Sequence, residues 1–184
     1  MAKLETSGND PLPLGVKSYT LTTHKDERGE LTEFYNKSWG LDFDCFQWNI
    51  VNSRSNTFRG FHAHLKHSDY LFVPAGKMLL GLVDIRVNSP TFRQSAQVEI
   101  SPQSSKVWMI PPGVAHGFYF PVESVHCYAL THQWDINEKH GCRWNSPGTN
   151  ISWPTTEPVL SEIDQSFGDL EDLIEELKDV DFKV

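Results

Sequence analysis

Short runs of apolar and polar residues in extended or alternating order recur along most of the chain. Alternation with period two sends residues two apart to one face of a strand. Val16–Thr22, Leu31–Tyr35, Phe46–Val51, Gln97–Ile100, Val107–Ile110, Val114–Pro121 and Val125–His132 read as strands of this kind. Met78–Ile85 is apolar nearly throughout and predicts a buried strand. Polar turns at His24–Gly29, Asn52–Thr57, Asp84–Thr91, Ser101–Ser105 and Pro111–Gly113 punctuate the runs, and Trp39–Asp44 is irregular. Many short strands without a long helical pattern predict an all-β sandwich or barrel. The end of the chain changes period: Ile163, Phe167, Leu170, Ile174 and Leu177 fit helical turns, with Ser161 as N-cap. The expected organisation is a loose arm over 1–15, a barrel domain over 16–156 and an acidic helical segment over 157–184.

Composition narrows the picture. A chain of 184 residues is expected to form one domain and bury about two-thirds of its unfolded surface. With 39% hydrophobic and 12% aromatic residues it has material for a packed core. A net charge of −8 argues against nucleic acid as a partner, though local arginines can still hold an anion. Cys45, Cys127 and Cys142 have no metal-like spacing and no disulfide pattern, which fits reduced thiols in the cytoplasm. The first residues lack an apolar signal core, and no window approaches a membrane span.

The chemistry concentrates in Phe58–Gly76, F-R-G-F-H-A-H-L-K-H-S-D-Y-L-F-V-P-A-G. Simple alternation puts Arg59, Phe61 and Ala63 on one strand face and Gly60, His62 and His64 on the other. Two such histidines are either ordinary half-buried strand residues or the lining of a cavity. A second stretch, I-P-P-G-V-A-H-G-F at Ile110–Phe118, bears on that choice. Gly60, His62, His64, Asp69 and Gly76, followed by Pro111, Gly113 and His116, resemble the cupin pattern. That resemblance implies a jelly-roll barrel. His62, His64, Asp69 and His116 would suit a divalent transition metal at its mouth, but many cupins hold none, and the expectation is no metal and no other cofactor.

A broader resemblance covers about Asp26 to Asp164. It runs through D-E-R-G and Glu33, Q-W-N at Gln47–Asn49, F-R-G-F-H at Phe58–His62 and D-I-R-V-N-S-P-T-F at Asp84–Phe92. It continues through W-M-I-P-P-G-V-A-H-G-F at Trp108–Phe118, Tyr128, R-W-N-S-P at Arg143–Pro147 and I-S-W-P at Ile151–Pro154. In order and spacing these pieces resemble the dTDP-4-dehydrorhamnose 3,5-epimerase family. The resemblance implies His62 as catalytic base, Asp164 as the carboxylate orienting it, and Tyr128 as the acid on the opposite face. It implies substrate contacts at Arg28, Glu33, Gln47, Asn49, Arg59, His116 and Trp134, with Trp134 stacking on the nucleotide base. It also implies a homodimer acting on a nucleotide-diphosphate sugar. The chemistry suits these types. A ketone at sugar carbon 4 acidifies the hydrogens on carbons 3 and 5, and histidine ionises near neutrality. Arginine pairs two phosphate oxygens at once.

The chain departs from the family at several points. H-A-H replaces H-Y-Q, and Tyr70 aligns with a lysine expected to stabilise the enolate, so Tyr70 is counted among the substrate contacts. Gln133 and Lys139 align with a second tyrosine and a glutamate. The segment R-G-F-H-A-H also resembles dTDP-sugar 3,4-ketoisomerases, which leaves that reaction, or a non-catalytic sugar-binding cupin, as the alternative. Trp108, Trp144 and Trp153 read as core, Arg86 as a structural ion pair, and His67 and His140 as solvated loop residues.

Overall fold

A computed structural model describes residues 3–4, 11–39, 41, 44–133, 135 and 138–182. Its strands are β1 (Lys3–Leu4), β2 (Lys17–Thr20), β3 (Thr23–Asp26), β4 (Gly29–Thr32), β5 (Gln47–Ser53), β6 (Thr57–Ala63) and β7 (Asp69–Ala75). They continue as β8 (Met78–Asp84), β9 (Ser95–Ile100), β10 (Lys106–Ile110), β11 (Val114–Phe120), β12 (Ser124–Leu130) and β13 (His140–Gly141). Among the described residues one sheet has the order β1-β2-β10-β7-β12-β5 and a second β13-β6-β11-β8-β9, while β3 and β4 form a separate ribbon. All of these strand pairs are antiparallel. The result is a cupin-type jelly roll.

The two sheets bury one face against each other. Leu71 and Val73 of β7 and Trp108 and Ile110 of β10 meet Met78, Leu80 and Leu82 of β8 and Phe120 of β11. The outer faces are covered as well. Tyr19, Tyr70, Val107 and Met109 lie under Phe34, Tyr35, Trp39 and Leu41. Phe61, Ala63, Val83 and Ile85 lie under Leu170, Leu173, Ile174 and Leu177. Full burial of a leucine or isoleucine stabilises by about 1.5–3 kcal/mol, so these four residues contribute favourably to docking the C-terminal segment. Coverage on both faces explains why β8 carries no polar alternation.

The sequence reading needs correction in four places. His24–Gly29 is not a bare turn, since most of it forms the β3–β4 ribbon. Residues 11–15 of the expected loose arm are tied to the barrel: Arg86 Nη2 donates to the Leu14 carbonyl at 2.6 Å, and the Leu14 N–H donates to Thr91 Oγ1 at 2.8 Å. The C-terminal segment is two helices, α1 (Glu162–Ser166) and α2 (Leu170–Leu177), because Phe167 is extended and the Asp169 N–H takes a new cap from Asp172 Oδ2 at 2.8 Å.

The fourth correction positions the site. His116 pairs with His62 and Gly117 with Gly60, so Phe61 is an extra residue bulged out of the β6–β11 ladder. The bulge inverts the phase of alternation, and Phe61 joins the outer core while Arg59 and His62 both face inward. Gly60 is needed there. Its φ is +98°, and a Cβ would sit 2.6 Å from the His116 carbonyl oxygen.

Candidate active site

Between the sheets lies a cavity of about 270 Å³. Strand β6 contributes Arg59 and His62, and the turn after it His64 and His67. Asp69 comes from β7, His116 and Phe118 from β11, and His126, Tyr128 and Leu130 from β12. Val51 and, from the first turn of α1 and its cap, Asp164 and Ser161 complete the lining. A more open surface groove of about 410 Å³ follows the ribbon beside Arg28.

His62 Nε2 lies 2.7 Å from Asp164 Oδ1. A carboxylate only accepts, so Nε2 carries the proton and Nδ1 is the nitrogen left to take one. Asp164 is itself fixed. Ser161 Oγ donates to its Oδ2 at 2.8 Å and accepts from its backbone N–H at 3.1 Å. Burial pushes the Asp164 carboxyl up, but His62, Ser161 and the Gly60 N–H outweigh it and hold the group below its ordinary value. The ring of Phe167 closes edge-on against His62 at 5.8 Å between centroids.

Tyr128 stands on the opposite wall, since β12 belongs to the other sheet. Burial raises its ionisation above the usual phenol range, so it remains a proton donor at neutral pH. Beneath it His126 stacks at 5.8 Å, and burial drives that ring down to about 4. Arg59 Nε donates to Ser53 Oγ at 3.1 Å. Around Asp69 three imidazoles gather. Its Oδ2 is 3.3 Å from His116 Nε2 and 3.5 Å from His64 Nε2, and the His67 ring lies tilted against His64 at 3.9 Å between centroids. Burial pushes His64 down to about 3, while Asp69, though buried, is held at about 2 by the surrounding rings.

The structure therefore brings His62, Asp164, Tyr128, Arg59 and His116 into one cavity. Gln47 and Asn49 are joined by a 3.0 Å hydrogen bond and share a face of β5 with Val51, just outside the lining. Arg28 is exposed and bound to Asp26 at 2.6 Å, and Glu33 is exposed, so neither reaches the cavity of its own chain. Trp134 lies outside the described residues. Tyr70 is not a lining residue: it is buried on the outer side of its sheet, where its hydroxyl donates to the Phe34 carbonyl. Asp69 is the residue of β7 that faces the cavity. The alternative metal set also changes, because His62 is taken by Asp164 and the converging ligand atoms are those of His64, Asp69 and His116. His67 is buried rather than solvated. His126, Phe118 and Leu130 had no role in the sequence reading, and Ser161 entered it only as a helix cap. Alternation in β12 places His126 and Leu130 with Tyr128, and the helix cap marks Ser161, so a signal for each exists.

A jelly roll with a carboxylate-held histidine on one wall and a half-buried tyrosine on the other sets a base and an acid across one cavity, the layout of a proton-transferring isomerase. The chain matches the dTDP-4-dehydrorhamnose 3,5-epimerase family over residues 13–172. It is 32% identical over 149 residues to the dTDP-4-dehydrorhamnose 3,5-epimerase of Pseudomonas aeruginosa, covering 76% of this chain and 82% of that one. The crystal structure of the Bacillus anthracis enzyme with TDP and PPi bound superposes with a TM-score of 0.83 at 27% identity, over 92% of this chain and 100% of that one. The Legionella pneumophila epimerase in complex with dTDP-4-keto-L-rhamnose gives 0.80 at 28% identity, over 89% and 92%. This chain belongs to the dTDP-4-dehydrorhamnose 3,5-epimerase family.

Proposed function

We propose that this protein inverts carbon 3, carbon 5 or both of a nucleotide-linked 4-keto-hexose, with thymidine diphosphate as the carrier. The observation that carries this reading is the His62–Asp164 pair at 2.7 Å on one sheet and Tyr128 on the other, lining one cavity. His62 Nδ1 removes a proton alpha to the ketone, and the electron pair of the broken C–H bond delocalises onto the carbonyl oxygen as an enolate. Asp164 stabilises the imidazolium so formed. Tyr128 gives a proton to the opposite face of the same carbon, and solvent restores both groups, so the sugar's oxidation state is unchanged. Arg59 would pair with the diphosphate, His116 would contact the sugar, and Asn49 would reach it from beside the cavity. Asn49 Nδ2 is buried without a hydrogen-bond partner, which suits it to a ligand oxygen. No cofactor takes part in these steps.

The same reading includes a homodimer. Phe46, Ile50 and Leu31 are 68%, 69% and 61% exposed on or beside the edge strand β5 and the ribbon, an apolar surface that a second copy would cover. Arg28 and Glu33 would then serve the partner's cavity. The three free cysteines fit a reducing cytoplasm, and no described helix is long and apolar enough to cross a membrane. Incubation in heavy water with a panel of nucleotide 4-keto-hexoses tests the function. Deuterium at carbon 3 or 5 with an inverted product is expected. Unlabelled, unchanged sugars would refute it, and a 3-keto product would replace it with ketoisomerisation.

A further inference from the structure

Asp164 and Phe167 lie three residues apart, which one helical turn brings to the same face of α1. Both meet the same ring. Asp164 Oδ1 accepts from His62 Nε2 at 2.7 Å, and the Phe167 ring stands at 71° to the imidazole with 5.8 Å between centroids. The sequence reading put Phe167 on one helical stripe with Leu170, Ile174 and Leu177. The helix instead breaks at Phe167, whose backbone is extended, and the ring leaves that stripe. Leu170, Ile174 and Leu177 enter the outer core, whereas Phe167 packs on β13 and His62. Its seat is Gly141. That residue pairs with His62 across β13 and β6, and a Cβ there would fall 2.7 Å from Phe167 Cε2 and 2.4 Å from the Phe61 carbonyl oxygen. The residue after the ring is tied down as well, since the Arg143 N–H donates to the Gly168 carbonyl at 2.9 Å. The ring needs such a seat beside it. The His62 side chain is 36% exposed, and its bond to Asp164 holds one ring atom. The outer torsion of a histidine has a broad, roughly two-fold preference. A half-turn about it exchanges each nitrogen with a ring carbon, so Nε2 would leave Asp164 and Nδ1 would turn from the substrate.

We propose that Phe167 is a positioning residue for His62: its ring blocks that rotation, so that Nε2 stays on Asp164 and Nδ1 stays aimed into the cavity. The turn of α1 then acts as a two-point clamp, with a carboxylate on one nitrogen and an aromatic ring against the imidazole. The inference rests on the reading of His62 as the base, and adds to it a residue that acts only through His62. What counts is filled volume beside the imidazole, so leucine can stand in for the ring and alanine cannot. The consequence for the reaction is selective. A base that turns away part of the time lowers kcat, while the contacts to sugar and diphosphate, and with them KM, change little.

The test reads the His62 ring by nitrogen-edited NMR on the full chain without any sugar, at a pH that keeps the ring neutral. Turnover is measured separately on whichever sugar of the heavy-water panel is inverted. In the wild type, one tautomer with the proton on Nε2 and ring-to-ring Overhauser contacts between Phe167 and His62 are expected. Phe167→Ala should give a mixture of tautomers and lower kcat roughly tenfold to a hundredfold, with KM within about threefold. Phe167→Leu should restore the single tautomer and most of kcat. Leu177→Ala, which removes packing from the outer core, controls for lost stability: it should melt at a lower temperature with the His62 ring unchanged. A wild-type ring spectrum and kcat in Phe167→Ala would overturn the clamp, as would an equal ring change in Leu177→Ala. If Phe167→Ala does not fold, the wild type decides, since missing Overhauser contacts or a mixed tautomer there would overturn the proposal. The ring readout needs no sugar. It therefore decides the clamp even where no nucleotide sugar is turned over, a result that refutes the proposed function alone.

Discussion

Replacing Asp164 by asparagine removes one charge and changes almost nothing in shape. In the wild type the carboxylate lies 2.7 Å from the nitrogen that becomes part of an imidazolium when His62 takes a proton. Opposite charges centred about 4 Å apart attract by about 4 kcal/mol at an effective dielectric of 20. Asp164 is 5% exposed but His62 is 36% exposed, so solvent screens part of this, leaving about 2–4 kcal/mol. At about 1.4 kcal/mol per decade, kcat should fall roughly 30- to 1,000-fold. KM should change little, because Asp164 acts through His62 and is not proposed to touch the sugar. The assay is epimerisation followed by NMR under saturating substrate, with solvent deuterium uptake measured in the same samples. Ser161→Ala, which loses one hydrogen bond to Asp164 but keeps the charge, should have a much smaller effect. An asparagine variant within threefold of wild-type kcat would refute the proposed role of the pair.

Other outcomes follow from the packing. Tyr70→Phe should leave kcat unchanged and cost about 1–3 kcal/mol in urea denaturation, because it strips the Phe34 carbonyl of its donor inside an apolar cluster; a large loss of kcat would return Tyr70 to the site. Arg86→Ala should cost about 3–5 kcal/mol, since it leaves Asp84 buried and unpaired, with kcat per folded molecule unchanged. Asp84 and Asp164 are both held below their ordinary value in the folded protein. A depressed folded value means their contribution to stability is present above about pH 4, the unfolded value, and lost as pH falls further. Denaturation midpoints should therefore decline below that pH, and less steeply in Asp84→Asn. Light scattering should give a dimer mass, and a monomer at all practical concentrations would remove the proposed exchange of Arg28 and Glu33.

Much of the barrel is legible in the chain because its strands follow period two, and β8 announces its burial by the unbroken apolar run before Asp84. The helix cap at Ser161 is legible for the same kind of local reason. What alternation cannot show is a change of phase. Nothing in F-R-G-F-H says that Phe61 is skipped by the neighbouring strand, yet that bulge puts Arg59 and His62 on one side. Tyr70 was misplaced by aligning it with a lysine, whereas strand parity from the lining residue Asp69 puts Tyr70 outside. His67 was read as solvated because its neighbours in sequence are polar. The turn folds back so that His67 lies against His64 and lines the cavity, which the polar sequence around it does not signal. The meeting of Asp164 with His62 spans 102 residues and was readable only through the family resemblance.

The central claim is that His62 makes the enolate and Tyr128 decides the face on which it is quenched. The most direct measurement compares, on one confirmed substrate in heavy water, deuterium exchange with inversion in His62→Ala and Tyr128→Phe. His62→Ala should lose both, by roughly a hundredfold to ten-thousandfold. Tyr128→Phe should keep measurable exchange while inversion collapses, because His62 can return a deuteron to the face it emptied. Wild-type exchange in His62→Ala, or normal inversion in Tyr128→Phe, would contradict the assignment.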